Sequence, residues 1–250
     1  MESKDQLRKQ LRNQRNERLA CADFAASDIP ASDIPASDVP ANDVPARNFP
    51  ASPGATGHSE AWRSEACRSE PRESPSRNMP PRKNSAARDS DLAIIQQLDA
   101  LLPGLLKKRP GSIASFWPLA GEPDLRPLAS KGLPLALPRT EPSGLCFLPW
   151  HADTVLEPDS CGIPSPRRQR PLAAEELAVL LVPALAVDQR GIRLGSGGGW
   201  YDRLRADPGW GAVPALVVLP QAFVKAQLPR DPWDIPFQGW ITEQGLSWVQ

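Results

Sequence analysis

The chain has 250 residues, enough for one large domain or two small ones. Its 29 Lys plus Arg balance 29 Asp plus Glu, and a chain without charge excess is a poor general binder of nucleic acid or membrane surface. The 30 prolines far exceed the usual share of about 5%, so part of the chain is not packed core.

In chain order, residues 3–19 read as a helix. Ser3 and Gln6 form a capping box, each side chain satisfying an orphan amide of the other's turn. Lys4, Arg8, Arg12 and Arg15 share one face, while the apolar face is thin, with Leu7, Leu11 and Leu19. A basic face of this kind reads either as a solvated surface or as an anion clamp for phosphates. The segment is charged from its second residue and has no apolar h-region, so no secretory signal is expected.

Residues 26–50 then repeat a five-residue unit, ASDIP ASDIP ASDVP ANDVP ARNFP. Proline in every unit blocks helix and central strand, and one apolar residue per unit is too little to offset ordering entropy. Solenoid repeats have periods of about 20–50 residues, so this is not one. Residues 22–89 therefore read as a disordered Pro- and Ser-rich insertion, either a tolerated expansion in a surface loop or a docking tail. Loop closure costs grow only logarithmically, so the host fold tolerates it. The division expected is 1–21 as a basic helix of the α/β domain, 22–89 as the insertion, and 90–250 as the rest of that domain.

From Ser90 the pattern is globular. Ser90 or Asp91 caps a helix carrying Leu92, Ile95, Leu98 and Leu102, with Pro103 and Gly104 as its stop. Strand-length apolar runs follow at 113–117, 133–137, 145–150, 179–187 and 215–219, with helical patterns at 173–176 and 201–206. This alternation predicts an α/β three-layer sandwich with a central, mostly parallel sheet and helices on both faces. The run at 179–182 lacks alternation, as a strand covered on both faces does. No apolar run approaches the roughly 20 residues of a bilayer span, so a soluble, cytoplasmic protein is expected, with free thiols at Cys21, Cys67, Cys146 and Cys161. These cysteines and the two histidines, His58 and His151, are too scattered for a closed zinc site.

The densest chemical signal is the stretch 187–202, VDQRGIRLGSGGGWYD: a buried strand, a loop with Gly195, Gly197, Gly198 and Gly199, then a helix. Such glycines let backbone amides approach an anion, and Arg193 offers a charge-assisted contact. The loop is not a Walker motif, because Lys followed by Ser or Thr is missing. Nor is it the dinucleotide fingerprint, because Trp200 fills a position that must be small. A ligand-free glycine loop is the plain alternative.

The run RGIRLGSGGGWYDR, preceded by AVLLVPALAVD, resembles the nucleotide loop of the 5-formyltetrahydrofolate cyclo-ligase (5,10-methenyltetrahydrofolate synthetase) family. Further segments resemble that family in the same order: KDQLR at the N-terminus, IASFWPLAGE, LCFLPW, CGIPSP and WDIPFQGWITE. The resemblance covers residues 1–20 and 90–250. It implies ATP and Mg2+ as cofactors and a folate, 5-formyltetrahydrofolate, as substrate. No nucleic-acid or membrane partner is implied, and a monomer is expected. By position it assigns ATP to Lys4, Arg8, Arg193, Leu194, Gly195, Ser196, Gly197, Gly198, Gly199, Trp200 and Tyr201, with Arg193 and Lys4 as the catalytic pair. It assigns the folate to Trp117, Glu122 and the stretch from Ser196 to Trp200, and the metal to Asp202 and Asp234.

The chain departs from the family pattern at several positions. Gly198 stands where some members carry Lys, Ser196 replaces a larger residue, and Trp200 replaces Tyr. Ser165 stands for Glu, and Gln238 for a second closing Asp. Singly, the acids also have plain readings. Asp202 suits the first turn of any helix, Asp234 a turn before Pro236, and Glu122 a loop beside Pro123. His151 reads as structural. Two other functions stay open: an interaction protein that docks through the insertion, and an RNA-associated protein that uses the basic helix.

Overall fold

The computed structural model describes residues 3–20 and 85–249, so the pentapeptide repeat and residues 22–84 of the expected insertion lie outside the described residues. Helix α1 (Lys4–Ala20) begins at the expected capping box: the Ser3 amide donates to Gln6 Oε1 at 3.0 Å and the Gln6 amide to Ser3 Oγ at 3.2 Å. Helix α2 (Ser85–Lys108) starts five residues before the expected cap and runs through Pro103. Residues 85–89 thus belong to the folded domain rather than to the insertion. Pro103 forfeits one amide donor, yet buried Leu98 and Leu102 before it and half-buried Leu105 and Leu106 after it hold both parts of the helix on the core.

The central sheet has seven strands: β1 (Ser112–Ala114), β2 (Leu135–Glu141), β3 (Gly144–Trp150), β6 (Leu177–Pro183), β9 (Ala215–Val218), β11 (Gly239–Thr242) and β12 (Gly245–Trp248), in the order β12-β11-β9-β6-β1-β2-β3. The five inner strands are mutually parallel, and β3 and β12 close the edges as antiparallel partners. Alternate residues of β6 face opposite layers. Val179 and Leu181 pack with Ile94, Leu98 and Leu102 of α2, while Leu180 and Val182 pack with Leu11 of α1 and with Leu204. Both faces of β6 are therefore dry, which explains its unbroken apolar sequence. The three-layer α/β architecture is the expected one. Among the described residues no helix is long and apolar enough to cross a membrane.

Local boundaries differ from the expectation where the chain turns sharply. The run at 179–187 is two strands, β6 and β7 (Ala186–Asp188), because the backbone leaves the sheet after Pro183 and enters a small second sheet, β10-β7-β8, with β8 (Arg193–Leu194) and β10 (Val224–Lys225). The 113–117 strand ends at Ala114, and residues 174–176 form one 3-10 turn instead of a helix. The hairpin pair β4 (Leu156–Pro158) and β5 (Pro164–Pro166) was not foreseen, since its prolines argue against strand. Two short helices, α3 (Trp200–Ala206) and α4 (Pro208–Gly211), follow the glycine loop.

Candidate nucleotide and folate site

Ligands of parallel α/β sheets bind beyond the carboxyl ends of the strands. In this chain those ends lead into three segments that meet α1. After β1 comes the stretch holding Trp117 and Glu122. After β6, through β7 and β8, comes the glycine loop. After β9 comes Phe223. Helix α1 lies across all three, and its basic face is engaged by them, although Arg12 stays exposed. Arg8 Nε donates to Gly195 O at 3.2 Å, and an Arg12 guanidinium nitrogen donates to Ser196 O at 2.7 Å. Arg15, almost fully buried, donates to Ala184 O and stacks on the Phe223 ring at 4.9 Å. Burial lowers the Arg15 pKa to about 10, partly offset by the carboxylate of Glu122. The helix thus fixes the path of the loop by gripping two of its carbonyls.

Two glycines of the loop have positive φ, Gly197 at 104° and Gly199 at 62°, and Gly199 caps α3 in the left-handed region. A Cβ at Gly195 would strike the Arg193 guanidinium, and one at Gly198 would strike the Trp200 indole at 2.8 Å. The glycines therefore accommodate two folded-back side chains as well as bare backbone. Trp200 in turn carries the Arg203 guanidinium over its ring at 4.8 Å.

Arg193 is turned inward. It donates to Pro183 O at 3.2 Å and to Asp202 Oδ2 at 3.0 Å, and it packs against the rings of Tyr201 and Phe237. It braces the loop from beneath, where the sequence suggests an outward phosphate contact. Leu194 is a core residue whose carbonyl accepts the Leu185 amide, so only its backbone lines the loop. Burial raises the Tyr201 phenol's pKa, with Arg193 pulling the other way.

Lys4 reaches neither the loop nor open solvent. Its Nζ is held by Asp231 at 2.7 Å and Asp234 at 2.6 Å. Burial works against its charge, but the bonds to the two carboxylates outweigh this and the Lys4 pKa lies above its ordinary value. Asp231 carries no role in the sequence reading. It lies 227 residues from Lys4, a separation that no local pattern bridges.

In the segment after β1, Glu122 is buried, and its Oε2 accepts the Leu119 amide at 2.9 Å. It sits within electrostatic reach of Arg15 and Tyr201. Trp117 is half-buried under the Arg126 guanidinium at 5.0 Å, and Asp124 holds that guanidinium with both oxygens. Two further residues support the loop unannounced by the sequence. Asp188, fully buried, accepts the amides of Arg190, Ile192 and Leu228, which sets the turn into β8. Arg205 donates to the carbonyls of Ile235 and Pro236 and packs on Phe237, tying α3 to the closing segment. Gln238 accepts the Ala215 amide at 2.8 Å and so serves the start of β9.

The two acids expected to hold magnesium each have a cationic partner. Asp202 is bonded to Arg193 and Asp234 to Lys4, and among the described residues no three His, Cys, Asp or Glu side chains gather into a metal-binding group. Mg2+ commonly uses one or two carboxylates together with substrate phosphates. The donors here fit an ion that arrives with a nucleotide, Asp202 being the acid beside the glycine loop.

Comparison with known proteins bears on these same segments. Residues 113–243 match the model of the 5-formyltetrahydrofolate cyclo-ligase family, which spans Trp117, Glu122, the glycine loop and Asp234 but not α1. A 5-formyltetrahydrofolate cyclo-ligase of Haemophilus influenzae is 36% identical over 95 residues, 37% of this chain and 50% of that protein. The one of Escherichia coli K12 is 30% identical over 140 residues, 52% of this chain and 77% of that protein. The chain thus aligns with half the length of the first relative and about three quarters of the second. The solution structure of Aquifex aeolicus 5,10-methenyltetrahydrofolate synthetase superposes with a TM-score of 0.55 at 30% identity, covering 66% of this chain and 82% of that one.

Proposed function

This chain belongs to the 5-formyltetrahydrofolate cyclo-ligase family, and we propose that it closes 5-formyltetrahydrofolate to 5,10-methenyltetrahydrofolate at the expense of ATP. The carrying observation is the docking of α1 on the glycine loop through Arg8, which also pairs with Asp5, and through Arg12, so that two guanidiniums lie against the segment that the family model matches.

A formamide carbonyl is a poor electrophile, and its oxygen is a poor leaving group. The formyl oxygen attacks the γ-phosphorus, ADP departs, and the oxygen now leaves as part of phosphate. The neighbouring secondary nitrogen attacks the activated carbon, loses its proton, and closes the ring as phosphate departs. Phosphoryl transfer needs positioning and charge neutralisation more than a protein nucleophile. The ring closure, being intramolecular, gains from effective molarity. The loop amides of residues 195–199 and the guanidiniums of Arg8 and Arg12 supply the positioning. Arg193 acts through the loop that it braces. Glu122 and Trp117 hold the folate, Glu122 pre-set by the Leu119 amide and Arg15. Asp202 would meet Mg2+ from the protein side. On arrival of the nucleotide, Lys4 would share its charge between Asp231 and the phosphates, staying on the turn while Asp234 is freed for the metal. Bound magnesium supplies neutralisation of the phosphate charge. A folate substrate, a single-chain enzyme and a cytoplasmic setting complete the reading.

The direct test is the rise in methenyl absorbance when the protein meets 5-formyltetrahydrofolate, ATP and Mg2+. Omission of any one of the three should abolish it, and no rise in the complete mixture overturns the proposal. A second expectation concerns α1, which lies outside the family match. Arg8→Ala removes a charge-assisted contact worth about 1.5–3 kcal/mol, so titration calorimetry should show ADP binding weakened roughly tenfold or more. The more exposed Arg12→Ala should cost less. ADP affinity unchanged in both variants would reduce α1 to a structural cover.

A further inference from the structure

The turn that holds Lys4 also presents an aromatic ring with no ring partner among the described residues. Trp150 and Trp240 are buried, Trp117 and Trp200 lie under arginine guanidiniums, and Trp210 packs on Phe147. Trp248, which is exposed, belongs to the edge strand β12. Trp233 is 69% exposed and makes no ring contact among the described residues.

Its backbone is nevertheless held firmly. The Asp234 amide donates to Asp231 O at 3.1 Å, the Asp231 amide donates to Asp234 Oδ2 at 2.7 Å, and both carboxylates grip Lys4. The indole is thus a large flat apolar face held on a braced turn beside a lysine, open to a planar ligand. Its position relative to the glycine loop follows from α1. Lys4 and Arg8 stand one helical turn apart, about 6 Å along the axis, and they grip the Trp233 turn and Gly195 respectively. Arg205 of α3, the helix that Gly199 caps, bonds Ile235 O and Pro236 O, so the Trp233 turn adjoins the loop from that side as well.

We propose that Trp233 is the stacking platform for the purine base of the nucleotide. This rests on the reading of the glycine loop as an ATP site and adds to it the element that recognises the base. Stacking strengthens with ring overlap, so the platform favours the larger purines over pyrimidines without separating adenine from guanine.

The test titrates wild type, Trp233→Ala and Trp233→Phe with ADP, GDP and inorganic tripolyphosphate, each with Mg2+. Wild type should bind all three. Trp233→Ala should weaken ADP and GDP alike, about fivefold or more, and leave tripolyphosphate unchanged, while Trp233→Phe retains most of the affinity. Equal losses for tripolyphosphate and ADP would mean that the substitution disturbs the Lys4 turn, and would overturn the platform. Unchanged ADP binding in Trp233→Ala would overturn it too, with the ATP site intact. If wild type binds neither ADP nor tripolyphosphate, the nucleotide reading itself falls and the platform falls with it.

Discussion

Gly191→Ala is expected to lower the stability of this protein by about 3 kcal/mol or more, the largest effect of any single methyl group near the glycine loop. Gly191 has φ 77° in the turn between β7 and β8, and its carbonyl accepts the Phe237 amide at 2.9 Å. An added Cβ would collide with the backbone carbonyl of Phe237 and crowd Val249. Backbone cannot swing aside as a flexible side chain can. The left-handed conformation alone costs an alanine roughly 1–2 kcal/mol, and the collision adds to it. Gly132 is the internal control, with φ 69° and no atom within 4 Å of an added Cβ. Thermal melting should therefore separate the two. Gly132→Ala should lower the midpoint by a few degrees, and Gly191→Ala by about 6–12 °C for a domain of this size. Equal shifts would show that the closing segment yields easily and that the 191–237 contact does not hold the loop in place.

Gly191 also illustrates which parts of the site are legible in sequence. The four glycines at 195–199 signal a loop, and they form one. The tightest backbone approach, however, is at a glycine four residues earlier, which a search for phosphate loops passes over as spacing. The capping box of α1 is readable because its two partners are three residues apart. The shared face of Lys4, Arg8, Arg12 and Arg15 is readable because helix geometry is local. What that face touches is not, since Gly195, Ser196 and Asp231 lie about 190 to 230 residues further on and the topology alone brings them back. The same holds for Arg193. Its neighbours in sequence are glycines, which suggests reach toward a ligand, but the missing Cβ of Gly195 opens the space into which its guanidinium folds. The three-layer fold follows from the unbroken apolar run of β6 between helical patterns, whereas the split at Pro183 and the passage of α2 through Pro103 depend on packing on either side of each proline.

Asp202→Asn should likewise produce two separable losses. The first is in stability. The Arg193 side chain is only 6% exposed, and Asp202 at 3.0 Å is its carboxylate partner. Removing one charge of a buried pair strands the other, at about 3–5 kcal/mol when both are sequestered. Asp202 is 28% exposed, and an amide oxygen can still accept from the guanidinium, so about 2 kcal/mol is the fitting expectation, or roughly 4–8 °C in melting midpoint. Arg193→Met in the same molecule should recover most of it, because a well-packed apolar chain no longer needs the counter-charge. The second loss is in metal dependence. If Asp202 meets the magnesium that accompanies ATP, Asp202→Asn should raise the Mg2+ concentration required for ADP binding by about tenfold, and the compensating Arg193→Met should leave that deficit in place. A double variant that melts like wild type yet still needs more Mg2+ assigns both duties to one carboxylate. A Mg2+ titration that Asp202→Asn leaves unmoved makes Asp202 the counter-ion of Arg193 and nothing more, and the metal must then be held by the nucleotide and by Asp234 once Lys4 has let it go.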